Sequence, residues 1–123
     1  MPTTIERLHR GPRMSRAVIH GETIYTNGHL ASDPSADVAG QTRDILTQLE
    51  ALLAEAGSDK AHILAAQIWL ADIATFDEMN SVWDAWVDKE NPPVRACVES
   101  KLARPGCLVE IVMVAVRPAQ REV

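Results

Sequence analysis

The apolar positions of this 123-residue chain change their period several times, and each change marks an element. Met14 to His20 and Thr23 to Asn27 are two extended runs on either side of Gly21-Glu22, which predicts a hairpin. Asn27-Gly28 closes the second run with a pair that tolerates positive φ, and Ala31 to Ala36, containing Pro34 and Ser35, reads as a loop. From Asp37 the period becomes helical. Val38, Ile45, Leu46, Leu49, Leu52, Leu53 and Ala56 fall on one stripe at three- and four-residue steps, and Gly57 stops it. The opposite face carries Gln41, Arg43, Asp44, Gln48, Glu50 and Glu55, an ordinary solvated face. Ser58-Asp59-Lys60 makes a turn, and Ile63 to Leu70 predicts a third strand, although Ala65 and Ala66 are weak strand formers. A second helix starts near Asp72 or Thr75, where a side-chain oxygen can cap the first turn. Phe76, Met79, Val82, Trp83, Trp86 and Val87 form its apolar face, and at that spacing the tryptophans read as core or subunit interface rather than as a ligand platform. Pro92-Pro93 excludes helix, and two strands follow, Val94 to Val98 and Leu108 to Val116.

In the last strand everything except Glu110 is apolar, which predicts burial on both faces. An ionised carboxylate left alone there would cost several kcal/mol, so Glu110 calls for a cationic partner, a bound proton or a wet cavity. Arg95, the isolated charge of the preceding strand, is the natural partner; alternatively each charge points to solvent at a sheet edge. The element order gives an α+β domain with two helices on one face of a mixed sheet. Two helices cannot cover both faces, so a monomer would leave an apolar patch in water.

Composition narrows the partners. With 46% hydrophobic residues, positions 1–123 form one globular domain with no room for a second. A formal net charge of -5 argues against a nucleic-acid or anionic-membrane surface. Arg7, Arg10, Arg13 and Arg16 do crowd the first part of the chain, but without interleaved aromatics they read as a solvated strand face or a local anion contact. No apolar run is long enough to span a membrane and no signal-peptide pattern opens the chain, so a cytoplasmic location is expected. Cys97 and Cys107 are then expected to be reduced. Neither they nor the four scattered histidines show a metal-ligand spacing, and no metal is expected.

The run Pro93-Val94-Arg95-Ala96-Cys97-Val98-Glu99, followed after a Pro-Gly turn by Val109-Glu110-Ile111, resembles the C-terminal signature of the Rid (YjgF-like) reactive-intermediate deaminases. The likeness extends back through Phe76-x-x-Met79-Asn80 and Asn27-Gly28. It implies a chorismate-mutase-like fold and a homotrimer whose inner sheet faces pack together, with a ligand cleft between adjacent subunits. It also implies cofactor-free hydrolysis of reactive 2-imino or enamine acids, such as 2-aminoacrylate, to 2-keto acids and ammonia. Arg95 matches the arginine that holds the substrate carboxylate, a task suited to its planar fork. Glu110 matches the glutamate that positions or activates water. The backbone at Gly28 and Cys97 matches substrate hydrogen-bonding positions, and Asn80 is a further lining candidate. Cys97 itself reads as a small buried thiol rather than a nucleophile, since no histidine stands in a recognisable relation to it.

The chain departs from the deaminase pattern at two cleft positions. Met14 stands where those enzymes carry tyrosine, and Asn27 where they carry serine before the glycine. Methionine cannot donate a hydrogen bond, whereas asparagine both donates and accepts, so the pocket is altered. Two further readings stay open: a trimer that binds or senses a small carboxylate in the same cleft without turnover, and a structural or chaperone-like trimer. Retention of both Arg95 and Glu110 weighs against the second of these.

Overall fold

The alternating strands and the two helical stripes meet in one mixed sheet. The computed structural model describes residues 4–118, and among these seven strands and two α-helices form. The strands are β1 (Ile5–Leu8), β2 (Ala17–His20), β3 (Thr23–Thr26), β4 (His29–Leu30), β5 (Ile63–Leu70), β6 (Val94–Glu99) and β7 (Val109–Val116); the helices are α1 (Val38–Glu55) and α2 (Phe76–Trp86). The sheet runs β1-β2-β3-β7-β5-β6, with short β4 also paired to β7. All pairings are antiparallel except β5 with β6, where α2 provides the crossover that a parallel pair requires.

A side-chain oxygen caps the start of α1 and another the 3-10 turn that precedes α2, whose own N-cap, Thr75, makes no side-chain capping bond. Asp37 accepts the Gly40 N–H at 2.8 Å, and Gly57, at φ +89°, follows the other end of α1. Of the two expected caps for the second helical segment, Asp72 is the one that bonds: it accepts the Ala74 N–H at 2.9 Å and opens a 3-10 turn, Ile73–Thr75, that leads into α2. Ile45, Leu46, Leu49, Leu52 and Leu53 of α1 join Met79, Val82 and Trp83 of α2 and Ile19, Ile24, Ile68, Ile111 and Met113 of the sheet in one buried cluster. No helix among the described residues is long and apolar enough to cross a membrane.

The structure corrects several expectations. The first expected strand is shorter, because Met14, Ser15 and Arg16 lie outside β2. β1 and β4 were not anticipated: Ile5, Glu6 and Arg7 are exposed on an edge strand that shows no buried alternation, and β4 has only two residues. Helix α2 ends at Trp86, where Val87 turns to ψ 145°, well before Pro92.

Gln41 is not solvated but 0% exposed. Its Nε2 donates to the carbonyls of Ala36 (3.0 Å) and Gly106 (2.9 Å), and its Oε1 accepts the Leu108 N–H at 2.8 Å. The loop entering β7 folds over the start of α1, so a polar residue on the outer face becomes the latch between them. Gln41→Leu leaves these backbone groups without partners and is expected to cost about 2–3 kcal/mol in chemical denaturation.

The face composition of β7 matters most for function. Val109, Ile111, Met113 and Ala115 are buried beneath the helices, while Glu110, Val112, Val114 and Val116 point the other way and are half-buried. The strand is therefore covered on one face only within the chain, not on both. Beside it on the uncovered face lie Tyr25, Val94 and Val98, with Val94 73% exposed. A groove of about 310 Å³ runs along this face, lined in part by Gln67, Val94, Ala96, Val112 and Val114.

Candidate functional site

The candidate residues separate into two clusters. The first is built on β6 and α2. Arg95 pairs in register with buried Ala66 of β5 and so projects to the helix side of the sheet. Its guanidinium carbon lies 5.2 Å from the ring centroid of Trp83 and 5.7 Å from that of Phe76. This cation-π seat orients the group. Among the described residues Arg95 has no carboxylate within ion-pair distance. Asn80 lies one helical turn from both rings, and its Oδ1 is buried without a hydrogen-bond partner. Cys97, two residues beyond Arg95 on the same face, packs against the core. Burial pushes its thiol up, against the opposing pull of the Arg95 charge, which suits a protonated packing residue rather than a nucleophile.

The second cluster is built on β7 and the β3–β4 connection. Glu110 sits opposite Leu30 of β4 and Trp69 of β5, on the face turned away from the helices. Its carboxylate lies against Gly28: a Cβ at that position would collide with Oε2 and stand 3.0 Å from Cδ. The glycine is needed here for closeness of approach. Gly28→Ala should leave the melting temperature nearly unchanged, because the carboxylate end can swing away, yet displace Glu110; the measurement is ligand affinity and turnover beside thermal melting. The two departures from the deaminase pattern meet in this cluster, since Asn27 Nδ2 donates to Met14 Sδ at 3.3 Å while Asn27 Oδ1 is buried without a partner.

The expected pairing of Arg95 with Glu110 is not made. The two side chains project to opposite faces, with β5 between their strands and an offset of three residues: Arg95 aligns through Ala66 with Met113, whereas Glu110 aligns through Trp69 with Val98. Two strand spacings of ~4.8 Å and three residues of ~3.3 Å put their backbones more than ~10 Å apart. The alternation of each strand was readable, but not which strand would lie between them.

Near the second cluster one expectation is corrected and one residue is new: Arg16, expected on a solvated strand face or at an anion, lies outside β2 and reaches a buried histidine, His29. Arg16 Nη2 lies 2.9 Å from His29 Nε2, and His29 Nδ1 lies 3.1 Å from the Asn27 carbonyl. The available signal was the hairpin register, which sets Ala17 opposite Thr26 and so brings Arg16 to Asn27. Among the described residues no group of three or more His, Cys, Asp or Glu side chains could hold a metal ion.

Comparison with known proteins places the chain in a family. The family model described as Endoribonuclease L-PSP matches residues 4–117. A RutC family protein from Haemophilus influenzae is 42% identical over 91% of this chain and 97% of its own length. A human 2-iminobutanoate/2-iminopropanoate deaminase is 30% identical over 84% of this chain and 79% of its own. Among solved structures, a YjgF-family member from Neisseria meningitidis superposes with a TM-score of 0.92 at 44% identity, covering 95% of this chain and 98% of that one. The chain therefore belongs to the Endoribonuclease L-PSP family, the Rid (YjgF-like) family whose signature its C-terminal strands resemble.

Proposed function

We propose that the chain is a cofactor-free hydrolytic deaminase of small 2-imino acids and their enamine tautomers, acting as a homotrimer with its site in the cleft between adjacent copies. The observation that carries this reading is Arg95, a half-buried guanidinium seated on two aromatic rings with no carboxylate beside it among the described residues. A planar fork held in this way fits the carboxylate of a small 2-imino acid and fixes its orientation. The human relative named as a 2-iminobutanoate/2-iminopropanoate deaminase supports the same chemistry.

In the proposed reaction an enamine first takes a proton at its β-carbon and becomes the iminium ion. Water then adds to the C=N carbon while Glu110 takes one of its protons, giving a neutral carbinolamine. Glu110 returns that proton to nitrogen, and ammonia leaves as the hydroxyl gives up its own proton to the carboxylate, leaving the 2-keto acid. Backbone groups at Gly28 and Cys97 and the lining side chains Asn27, Asn80 and Met14 complete the pocket. Because Arg95 and Glu110 face opposite ways in one chain, a substrate meets both only when one copy supplies the arginine and another the glutamate. The uncovered apolar sheet face supports such an assembly. Sedimentation should give about 40 kDa, three times the 13.5 kDa chain, and a stable monomer at micromolar concentration would remove the shared cleft.

The direct test generates imino acids in situ with an amino-acid oxidase and follows keto-acid release. Acceleration by the purified protein is expected; an uncatalysed rate would contradict deamination. One observation favours a second reading, binding without turnover: Asn27 spends a donor on the Met14 sulfur, leaving fewer groups to orient water. Tight keto-acid binding with no acceleration would select it.

A further inference from the structure

His29 is a buried polar side chain that the proposed chemistry leaves without a task. It is 4% exposed, and both ring nitrogens are engaged, Nε2 with Arg16 and Nδ1 with the Asn27 carbonyl. A guanidinium only donates, so Nε2 must be the bare acceptor, and the ring proton sits on Nδ1 and donates to Asn27. The imidazole is therefore neutral, with its tautomer set from both sides. Arg16 is itself anchored, its backbone N–H donating to Leu8 at 3.0 Å and its carbonyl accepting the Asn27 N–H at 2.9 Å. The ring thus bridges the entry of β2 to the Asn27–Gly28 peptide, which is the peptide on which the Glu110 carboxylate lies.

We propose that His29 is a positioning residue of the site: braced by Arg16, its neutral ring fixes the Asn27–Gly28 peptide that seats Glu110, and protonation of the ring breaks that brace and lets ring and peptide shift. This rests on the reading of Gly28 and Glu110 as parts of the site. The loss of the brace follows from donor counting, while the Nδ1–H bond to the Asn27 carbonyl survives and carries the peptide along with the ring. A protonated ring has no acceptor left, so its Nε2–H would face the Arg16 N–H groups at 2.9 Å, cation against cation. Other charges around β4 are directed elsewhere. On β7 Glu110 lies across Gly28, and on α1 Asp44 accepts the Ser32 N–H beyond the strand. Burial pushes the ring below its ordinary 6.5; the Asn27 hydrogen bond opposes this and the Arg16 charge adds to it. The neutral, closed arrangement therefore holds at and above neutral pH, and is lost as the pH falls through the lowered value.

The test is amide NMR of the full chain between about pH 8 and about pH 5, beside imine hydrolysis over the same range. In the wild type the Asn27 and Gly28 amides should move with the midpoint of the His29 ring, and turnover should fall with it. His29→Gln keeps a donor and an acceptor but does not titrate, so that midpoint should vanish from both amides and the acid limb should flatten. His29→Leu cannot bridge and should lower turnover about tenfold or more at neutral pH. Asn27 and Gly28 amides that stay still while His29 titrates would overturn the proposal, as would a folded His29→Leu with wild-type turnover. If His29→Leu does not fold, His29→Gln decides. A wild type that hydrolyses no imine would refute the deaminase reading, and the amide titration would still decide whether His29 positions Gly28.

Discussion

Glu110→Gln lowers imine-hydrolysis turnover by about a hundredfold or more, while affinity for a small 2-keto acid changes by less than about threefold. The amide keeps the size and planarity of the carboxylate that lies on Gly28 but cannot take a proton from water. The same substitution would be far more damaging if Glu110 were the buried counter-ion of Arg95, since a guanidinium stranded without its partner destabilises by about 3–5 kcal/mol. The placement of the two residues on opposite faces removes that role within a chain. Thermal melting should therefore stay within about 3 °C of the wild type, which corresponds to less than about 1 kcal/mol. Turnover, keto-acid affinity and melting measured on one preparation separate the cases. Wild-type turnover in a folded variant would sink the catalytic role and favour the binding reading.

Arg95→Lys lowers both turnover and keto-acid affinity, each by at least about tenfold, the loss of ~1.5–3 kcal/mol of charge-assisted hydrogen bonding. Lysine keeps the charge but offers a point donor in place of a two-pronged fork, and it loses the flat face that rests on Trp83 and Phe76. The fold should persist, because Arg95 is held in the sheet by the β5 ladder through its backbone and makes no ion pair among the described residues. An unchanged rate would mean that the guanidinium serves only to cover the two rings.

The contrast between β5 and β1 explains what could be read from the chain. Ile63–Leu70 and the last strand carry enough β-branched and apolar residues to declare themselves, and the Leu and Ile stripe of α1 is bounded by Asp37 and Gly57. β1 lies on an exposed edge and β4 is two residues long, so neither has a buried alternation to detect. Gln41 shows a different limit: its neighbours on the helix surface are ordinary polar residues, and only the distant loop at Gly106 and Leu108 makes it a buried latch. The candidate residues stand out in the sequence by motif and charge, but their mutual placement does not. Glu110 was conspicuous because it interrupts an apolar run, and Arg95 because it stands alone on a short strand. That the first lies on one face and the second on the other depends on β5 entering between their strands, a matter of topology. The contact of Arg16 with His29 is hard to read from the sequence for a related reason, since it depends on how the β2–β3 hairpin continues into β4.

Mixing two inactive chains tests most directly whether one substrate meets Arg95 of one copy and Glu110 of the next. Arg95→Ala and Glu110→Gln homotrimers should each retain no more than about a hundredth of wild-type imine hydrolysis. Coexpressed in equal amounts, they should form mixed trimers in which about one cleft in four has both intact side chains, restoring about a quarter of the wild-type rate. Mixed trimers, verified by native mass spectrometry, that hydrolyse imines no faster than the two homotrimers would contradict a cleft shared between copies.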